Sequence, residues 1–234
     1  MFADVHSHVL CGIDDGARSI NDSQRSLQLL RQNGITHLAF TPHYYPHRNS
    51  VQTFLRRRAR AYQAVKELPE AKTMTLTVGA EVYLGETLFN NEDLMPLCYE
   101  GTRYMLTELE YNSYFTDASD YRLLRLIEDY GVIPVLAHID RFPFLWNDLH
   151  LLEKLKKMGC CFQMNISALQ GFFSRRRAIK LFEFGFLDFL GEDVHRSVLP
   201  FKEKERMRIR TEKRNPGFFE ELSSNAAARL FVAR

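Results

Sequence analysis

Near its N-terminus the chain carries a segment that combines histidines with acids: Asp-Val-His-Ser-His-Val-Leu-Cys-Gly-Ile-Asp-Asp-Gly, residues 4–16. His6 and His8 are one residue apart at the end of a short apolar run, and Asp14 and Asp15 follow. Because side chains alternate between the two faces of a strand, His6 and His8 point to the same face. Two imidazoles beside acids could hold a metal ion, although they could equally be surface histidines next to a turn. A metal site requires further ligands from the rest of the chain.

The composition is that of an ordinary globular protein. The 234 residues suit one large α/β domain spanning residues 1–234, and 45% of them are hydrophobic while 26% are charged. A net charge of +2 gives no indication of a nucleic-acid partner. We find no signal peptide and no run of 18 apolar residues, so we expect a cytoplasmic protein that does not insert into a membrane.

Apolar runs typical of strands alternate with amphipathic helical stretches. The predicted strands are Phe2–His8, His37–Pro42, Thr75–Glu81, Tyr104–Glu108, Ile133–His138, Cys161–Asn165 and Leu187–Glu192. The first predicted helix begins with a capping box at Ser19 and runs to a stop at Gly34, and a second spans Val51–Leu68. Three more helices stop at Gly131, Gly159 and Gly185. Seven strands in βα units predict a parallel (β/α) barrel, with an open doubly wound sheet as the alternative.

Ligand-type side chains recur where these predicted strands end. They are His6 and His8 on the first strand, His43, Glu81, Glu108 and His138 on the next four, and Asp193 with His195 on the last. A (β/α) barrel places its active site at the carboxyl ends of its strands, so these residues should meet at one face. Any one of them alone would more often be a structural or surface residue. Together they predict a metal site, and imidazole and carboxylate ligands without thiolates suit manganese, iron or zinc.

The four cysteines predict neither a disulfide framework nor a zinc site. They are Cys11, Cys98, Cys160 and Cys161, and none is followed by an arginine six positions on, as the phosphate-binding loop of a cysteine phosphatase requires. We therefore expect them to be small hydrophobic core residues.

Five segments together identify a family resemblance. The Asp-x-His-x-His start, "TPH", "GAEV", "HIDR" and "EDVH" resemble the PHP (polymerase and histidinol phosphatase) superfamily. Asp-Asp-Gly after the paired histidines looks most like the bacterial CpsB/YwqE-type protein-tyrosine phosphatases of capsular and exopolysaccharide synthesis. The resemblance runs from Asp4 to about Asn225.

The resemblance implies a distorted (β/α)7 TIM-like barrel with up to three metal ions, commonly Mn²⁺. It implies that His6, His8, Glu81 and Asp193 bind the first ion, and that Glu81 bridges to a second ion held by Glu108 and His138. His43, His195 and Asp14 would hold the third ion. Asp15 is the alternative to Asp14, because a doublet leaves the register open by one residue.

Two arginines are candidates for the substrate phosphate. Arg141 follows the fifth predicted strand and could make a bidentate phosphate contact, although an ion pair with Asp140 is the alternative. Arg196 is a further candidate, in a loop that lacks the asparagine and glycine expected from the resemblance. His195 or Asp14 could assist proton transfer to the departing phenolate.

The resemblance implies hydrolysis of phosphotyrosine on a protein partner, a bacterial tyrosine kinase. A histidinol-phosphatase-like esterase for small phosphomonoesters or phosphodiesters is the alternative, and a non-catalytic metal-binding module is the third. Two basic stretches, residues 56–66 and 202–214, are either solvated helix faces or a docking surface for an anionic, phosphotyrosine-rich tail.

Overall fold

The structure is a computed structural model that describes residues 2–90, 93–195 and 200–232. The strands are β1 (Phe2–Asp4), β2 (Ile35–Phe40), β3 (His43–Tyr44), β4 (Thr75–Val78), β5 (Glu81–Tyr83), β6 (Tyr104–Glu108), β7 (Ile133–Leu136), β8 (Cys161–Asn165) and β9 (Phe189–Gly191). The helices are α1 (Ile20–Gln32), α2 (Val51–Lys66), α3 (Asp117–Glu128), α4 (Pro143–Asn147), α5 (Leu149–Met158), α6 (Phe172–Glu183), α7 (Phe201–Glu212) and α8 (Phe218–Leu230).

All strand pairs are parallel, and they form two sheet segments. One has the order β1-β2-β4, and the other has the order β3-β5-β6-β7-β8-β9. The second predicted strand, His37–Pro42, corresponds to β2, and β3 lies just beyond its predicted end after a gap at residues 41–42. The third predicted strand, Thr75–Glu81, is interrupted at residues 79–80 between β4 and β5. Backbone bonding continues across both interruptions, because the Gly79 amide donates to the Phe40 carbonyl at 2.9 Å and the Glu81 amide donates to that of Pro42 at 3.1 Å.

Backbone hydrogen bonds between the first and last strand positions close the barrel. The amide of Val5 donates to the carbonyl of Leu190 at 3.2 Å, that of Asp193 to His6 at 2.8 Å, and that of His8 to Val194 at 2.9 Å. This return of the chain onto β1 confirms the distorted (β/α)7 barrel, and the open doubly wound sheet is wrong.

Helix α1 begins at the capping residue predicted from the sequence, and the predicted glycines lie at or near the ends of helices. Ser19 caps α1, since its hydroxyl accepts from the Asp22 amide at 3.2 Å while the Asp22 carboxylate accepts from the Ser19 amide at 3.1 Å. This reciprocal pair satisfies two amides that the first helical turn leaves unpaired. The four glycines predicted as stops have left-handed backbone conformations, with φ between +62° and +104°: Gly34, Gly131, Gly159 and Gly185.

The cysteines are free thiols, and three of the four are buried in the core as predicted. Cys98, Cys160 and Cys161 are buried, while Cys11 is half-buried. Within the described ranges, no helix is both long and apolar enough to cross a bilayer.

Candidate metal centre

The carboxyl-terminal end of the barrel gathers the predicted ligand residues from elements far apart in sequence. His6 and His8 follow β1, His43 begins β3, Glu81 begins β5, Glu108 ends β6, His138 follows β7, and Asp193 and His195 follow β9. His6, His8, Glu81 and His138 are almost fully buried, and Glu108 and Asp193 are buried. The barrel therefore places a polar, titratable cluster where its interior would otherwise be apolar.

Two of these residues have backbone conformations that side chains rarely adopt. His138 has φ +34° and Asp193 has φ +53°, and they are the only non-glycine residues with positive φ among those described. The left-handed region costs an ordinary residue roughly 1–2 kcal/mol. Strain of this kind is concentrated at functional sites, where the surrounding structure holds it in place.

The first group of donor atoms comes from both ends of the chain. The Nε2 atoms of His6 and His8 are 3.1 Å apart, and Asp193 Oδ1 lies 3.5 Å from the first and 3.4 Å from the second. These three donors lie within 4.8 Å of one another. Two imidazole nitrogens and a carboxylate oxygen therefore face one point, as in a metal site.

Glu81 occupies the middle of the cluster. Its Oε2 lies 2.9 Å from His43 Nδ1, 3.2 Å from His6 Nε2 and 3.3 Å from His8 Nε2. Its Oε1 lies 2.9 Å from His138 Nε2. One carboxylate thus faces four imidazoles, which suits the bridging role that the resemblance implies for it.

Glu108 completes a second group of donors around Glu81. Its Oε1 is 3.5 Å from His138 Nε2, and its Oε2 is 4.0 Å from His43 Nδ1. His43, Glu81 and Glu108 offer donor atoms within 4.8 Å of one another. His43 therefore faces the second group as well as the third, which the sequence did not indicate.

The third group contains Asp15. Asp15 Oδ1 lies 3.4 Å from His195 Nε2 and 3.6 Å from His43 Nε2, and the donor atoms of His8, Asp15, His43 and His195 fall within 4.8 Å of one another. The ring of His8 stacks on that of His195 with centroids 4.0 Å apart. Of the two aspartates left open by the sequence, Asp15 is the one whose carboxylate lies in this group.

Asp14 lies beside the cluster and supports it. Its Oδ2 accepts from His8 Nδ1 at 2.8 Å and from the His43 amide at 3.0 Å, and its Oδ1 accepts from the Gly16 amide at 3.0 Å. A carboxylate on Nδ1 fixes the proton there and leaves the Nε2 lone pair directed at the cluster. Burial favours the neutral acid, but the His8 hydrogen bond and charge outweigh it and lower the pKa of Asp14.

The donor set fits divalent metal ions. Glu81 Oε2 is buried and forms no hydrogen bond although three imidazole nitrogens surround it, and buried His138 Nδ1 also has none. Burial lowers the pKa of His138, yet its hydrogen bonds to Glu108 and Glu81 raise that pKa to about 9. Burial would raise the pKa of Glu81, but the charge of His6 and hydrogen bonds from His138 hold it well below its usual range. The carboxylates thus favour positive charge on the imidazoles that face them, and a divalent metal ion would supply that charge in place of protons.

Arg141 reaches the same cluster. It ends a 3₁₀ turn after His138, and its guanidinium forms an ion pair with the Asp193 carboxylate. Asp140 instead accepts from the Asn165 amide at 2.8 Å, so the proposed pair between Arg141 and Asp140 is wrong. The Arg141 side chain remains 43% exposed, which leaves it accessible to a substrate phosphate. Arg196, the other candidate, lies outside the described residues.

Two side-chain amides on β8, which were not predicted from the sequence, support the cluster. Gln163 Oε1 accepts from the His138 amide at 2.7 Å and lies 3.2 Å from His6 Nδ1. Asn165 Nδ2 donates to Asp193 Oδ2 at 3.0 Å. The available signal was a pair of amides at alternate positions of an otherwise apolar strand, where the period of two places both side chains on one face.

The fold and the donor set define this protein as a parallel (β/α)7 barrel with groups of imidazole and carboxylate donors at its carboxyl-terminal end that could hold metal ions. Residues 2–214 match the family described as capsular polysaccharide synthesis, CpsB/CapC, and the chain belongs to that family. It is 28% identical over 232 residues to CapC of Staphylococcus aureus, covering 94% of this chain and 87% of that protein. It is 27% identical over 207 residues to the tyrosine-protein phosphatase CpsB of Streptococcus pneumoniae, covering 82% of each.

Solved structures agree on the fold. The crystal structures of YwqE from Bacillus subtilis and CpsB from Streptococcus pneumoniae, described as metal-dependent tyrosine phosphatases, match with a TM-score of 0.77 and 22% identity, covering 98% of this chain and 94% of the matched chain. A β-aspartyl dipeptidase from Fervidobacterium islandicum matches with a TM-score of 0.54 at 12% identity, over 97% of this chain and 72% of that one. At these identities the matches show the shared barrel.

Proposed function

We propose that this chain is a metal-dependent tyrosine-protein phosphatase that acts on a phosphotyrosine-bearing protein partner, a bacterial tyrosine kinase of capsular or exopolysaccharide synthesis. The observation that carries the proposal is the convergence of imidazoles and carboxylates around Glu81 at the end of the barrel. CpsB and YwqE are named as tyrosine phosphatases, which supports the same activity and favours it over the small-molecule esterase.

The proposed ligand sets combine the three groups of donor atoms with the sets that the resemblance implies. His6, His8, Asp193 and Glu81 would hold one ion, and Asp15, His43 and His195 the third. Glu81, Glu108 and His138 would hold the second ion, with His43 facing the same two carboxylates. Mn²⁺ suits this mixture of nitrogen and oxygen ligands, and Fe or Zn are the competing ions. Bound divalent ions would supply Lewis-acid stabilisation of the phosphoryl oxygens and an activated water.

The chain's own groups supply the rest of the reaction. Arg141 would bind two phosphoryl oxygens through its guanidinium once the phosphate competes with Asp193 for it. Asp14 is fully engaged with His8 and two backbone amides, which argues against its predicted role in proton transfer. His195 is half-buried at the edge of the cluster and remains a candidate only where its Nε2 is not bound to the third ion, because its Nδ1 lies 3.1 Å from the Asp193 carbonyl oxygen. A phenolate leaving group needs little assistance.

Turnover by metal-free and reconstituted protein tests the proposal. Protein stripped by a chelator is assayed against a phosphotyrosine peptide, histidinol phosphate and a phosphodiester, before and after addition of Mn²⁺, Fe²⁺ or Zn²⁺. We expect no turnover without metal, recovery with Mn²⁺, and the highest kcat/KM on the phosphotyrosine peptide. Preference for histidinol phosphate or the diester would favour the small-molecule reading, and full activity of metal-free protein would refute metal dependence.

A matched pair of histidine variants controls for general damage. His138→Asn removes a buried donor, and His150→Asn removes an exposed imidazole on α5, away from the cluster. We expect His138→Asn to lose both bound metal and turnover, while His150→Asn keeps both. Equal losses in the two variants would show that the effect is unrelated to the metal centre.

A further inference from the structure

A cavity adjoins the candidate metal centre on the side of α2. It has a volume of about 480 Å³ and shares Asp15 and His43 with the third donor group. Its lining consists of Ile13, Asp14, Asp15, His43, Tyr44, Tyr45, Arg48, Asn49, Phe54 and Arg57. We call it the flanking cavity. The residues on one side of a phosphotyrosine bound at the candidate metal centre would therefore lie in or beside the flanking cavity.

The wall of the flanking cavity is aromatic. The ring of Tyr45 stacks on His43 with centroids 5.2 Å apart and lies 5.8 Å from Tyr83. Tyr44 packs on Phe54 with centroids 5.1 Å apart. Packed rings of this kind fix the shape of the cavity and lower the local dielectric constant, which strengthens electrostatic contacts made inside it.

Two guanidinium groups supply the charge of the cavity. Arg48 Cζ lies 4.5 Å from the centroid of the Tyr45 ring, which holds an otherwise exposed side chain against the wall. Arg57 Nη2 donates to the carbonyls of Gly12 at 3.2 Å and Ile13 at 2.9 Å, leaving its Nε and Nη1 donors for a further partner. Neither arginine forms an ion pair within the part of the chain that the structure describes.

The acids of the cavity already have partners. Asp14 accepts three hydrogen bonds, and Asp15 faces the imidazoles of His43 and His195. The cavity is thus acidic where it meets the metal centre and cationic where Arg48 and Arg57 line it. A cationic ligand would be repelled by the two guanidiniums, whereas an anionic group would satisfy donors that lack a partner.

We propose that the flanking cavity binds an anionic side chain of the substrate, close in sequence to the phosphotyrosine being hydrolysed. The shared chemistry is that of a carboxylate or a phosphate, supplied by an aspartate, a glutamate or a second phosphotyrosine. The proposal rests on the proposed phosphatase function and adds the sequence context that the enzyme selects. Guanidiniums match both oxyanions through paired hydrogen bonds.

The neighbouring arginines of α2 have different contacts, and only one of the three at residues 56–58 lines the flanking cavity. Arg58 is structural, because its Nη1 donates to the Gly79 carbonyl at 2.8 Å, its Nη2 donates to that of Pro96 at 3.0 Å, and burial lowers its pKa to about 10. Arg56 is exposed and does not line the cavity; its Nη2 donates to Thr53 Oγ1 at 3.2 Å. Arg57 alone of these three lines the cavity, so neighbouring arginines of one helix serve as matched controls.

The test compares peptides that differ at one residue beside the phosphotyrosine: glutamate, glutamine or a second phosphotyrosine, placed in turn one to three positions to either side. Binding is measured with a non-hydrolysable phosphonate in place of the phosphotyrosine, and turnover with the phosphate itself, using metal-loaded protein. We expect the glutamate and phosphotyrosine peptides to bind about three- to tenfold more tightly than the glutamine peptide at one of these positions. Arg48→Gln and Arg57→Gln should abolish that ratio, while Arg56→Gln should keep it.

The outcomes separate this proposal from the phosphatase function. Equal binding of the three peptides at every position, or equal loss of the ratio in Arg56→Gln, would overturn the flanking cavity as an anion site even if turnover is high. Absence of turnover on every phosphomonoester would refute the phosphatase function, while the binding ratios would still decide whether the cavity selects anions. Tighter binding of only the phosphotyrosine-flanked peptide would identify the phosphate as the source.

Discussion

Replacing Asp14 and Asp15 separately by asparagine tests which aspartate binds metal and which one orients a ligand. Asp14 Oδ2 lies 2.8 Å from His8 Nδ1, whereas Asp15 Oδ1 lies 3.4 Å from His195 Nε2 within the third donor group. Asparagine keeps the size of each side chain but removes the charge. For Asp14 this removes the anionic acceptor that holds the His8 proton on Nδ1. For Asp15 it removes the charge of the carboxylate that we propose as a metal ligand.

The expected loss of metal affinity in Asp14→Asn follows from the role of Asp14 as a carboxylate that orients a ligand. Loss of such a partner costs about 10- to 100-fold in metal affinity, or about 1.4–2.8 kcal/mol. A hydrogen bond to a charged group contributes about 1.5–3 kcal/mol, which agrees with that range. The number of ions bound at saturation should not change, because His8 itself remains.

The assay is a titration of metal-free protein with Mn²⁺ against a competing chelator, followed by elemental analysis at saturation. Asp14→Asn should bind as many ions as the unmodified protein with weaker affinity, and Asp15→Asn should bind one ion fewer. The opposite result, in which Asp14→Asn loses an ion and Asp15→Asn keeps the full number, would refute the assignment and restore Asp14 as the ligand.

Four further predictions concern the phosphate site, the thiols (two predictions) and the packing of β9 against the chain that follows β1. Arg141→Ala should lower kcat/KM by roughly ten- to a thousand-fold, which corresponds to about 1.4–4 kcal/mol, while its metal content stays near normal. Arg141→Lys should also be impaired, because lysine keeps the charge but cannot bind two oxygens at once. Kinetics and elemental analysis on the same preparations test both expectations. Burial raises the pKa of Cys98 and Cys160 to about 12, so at pH 8 their thiolate fraction is about 10⁻⁴ and alkylation of folded protein, read by mass spectrometry, should label Cys11 first. Replacing all four cysteines by serine should leave most of the turnover if the protein folds, and a selective loss would revive a thiolate nucleophile. Gly191→Ala would place a Cβ 2.5 Å from His6 Cβ. We therefore expect the free energy of unfolding, measured by urea denaturation, to fall by about 1–3 kcal/mol, and the metal content to be reduced.

The strand positions were predictable from sequence because each buried strand is a short apolar run between glycine or polar stops. The predicted bounds Tyr104–Glu108 and Cys161–Asn165 agree with β6 and β8. The separate strand β3 and the break at residues 79–80 were not predicted, because a hydrophobic pattern indicates which residues are buried and not how the strands pair through hydrogen bonds. β1 ends at Asp4, short of the predicted His8, although the chain continues to bond to β9 beyond it.

Within the site, residue type and strand position predicted where donors gather but not which atoms face each other. Asp14 and Asp15 are adjacent and chemically identical, so only the fold of the Asp-Asp-Gly turn separates a supporting carboxylate from one in the donor group. Gln163 and Asn165 were overlooked because an amide has no charge to mark it as a ligand, and its role depends on neighbours distant in sequence.

Assembly of the metal centre and closure of the barrel involve the same residues. The Asp193 amide donates to the His6 carbonyl, and the His8 amide donates to the carbonyl of Val194, so the bonds that join the last strand to the first also set Asp193 against the two histidines. Donors from residue 6 and residue 195 cannot meet until this closure has occurred. Because metal bound only to the closed form stabilises that form by mass action, loss of metal should weaken the contact between the first and last strands before it affects the strands between them.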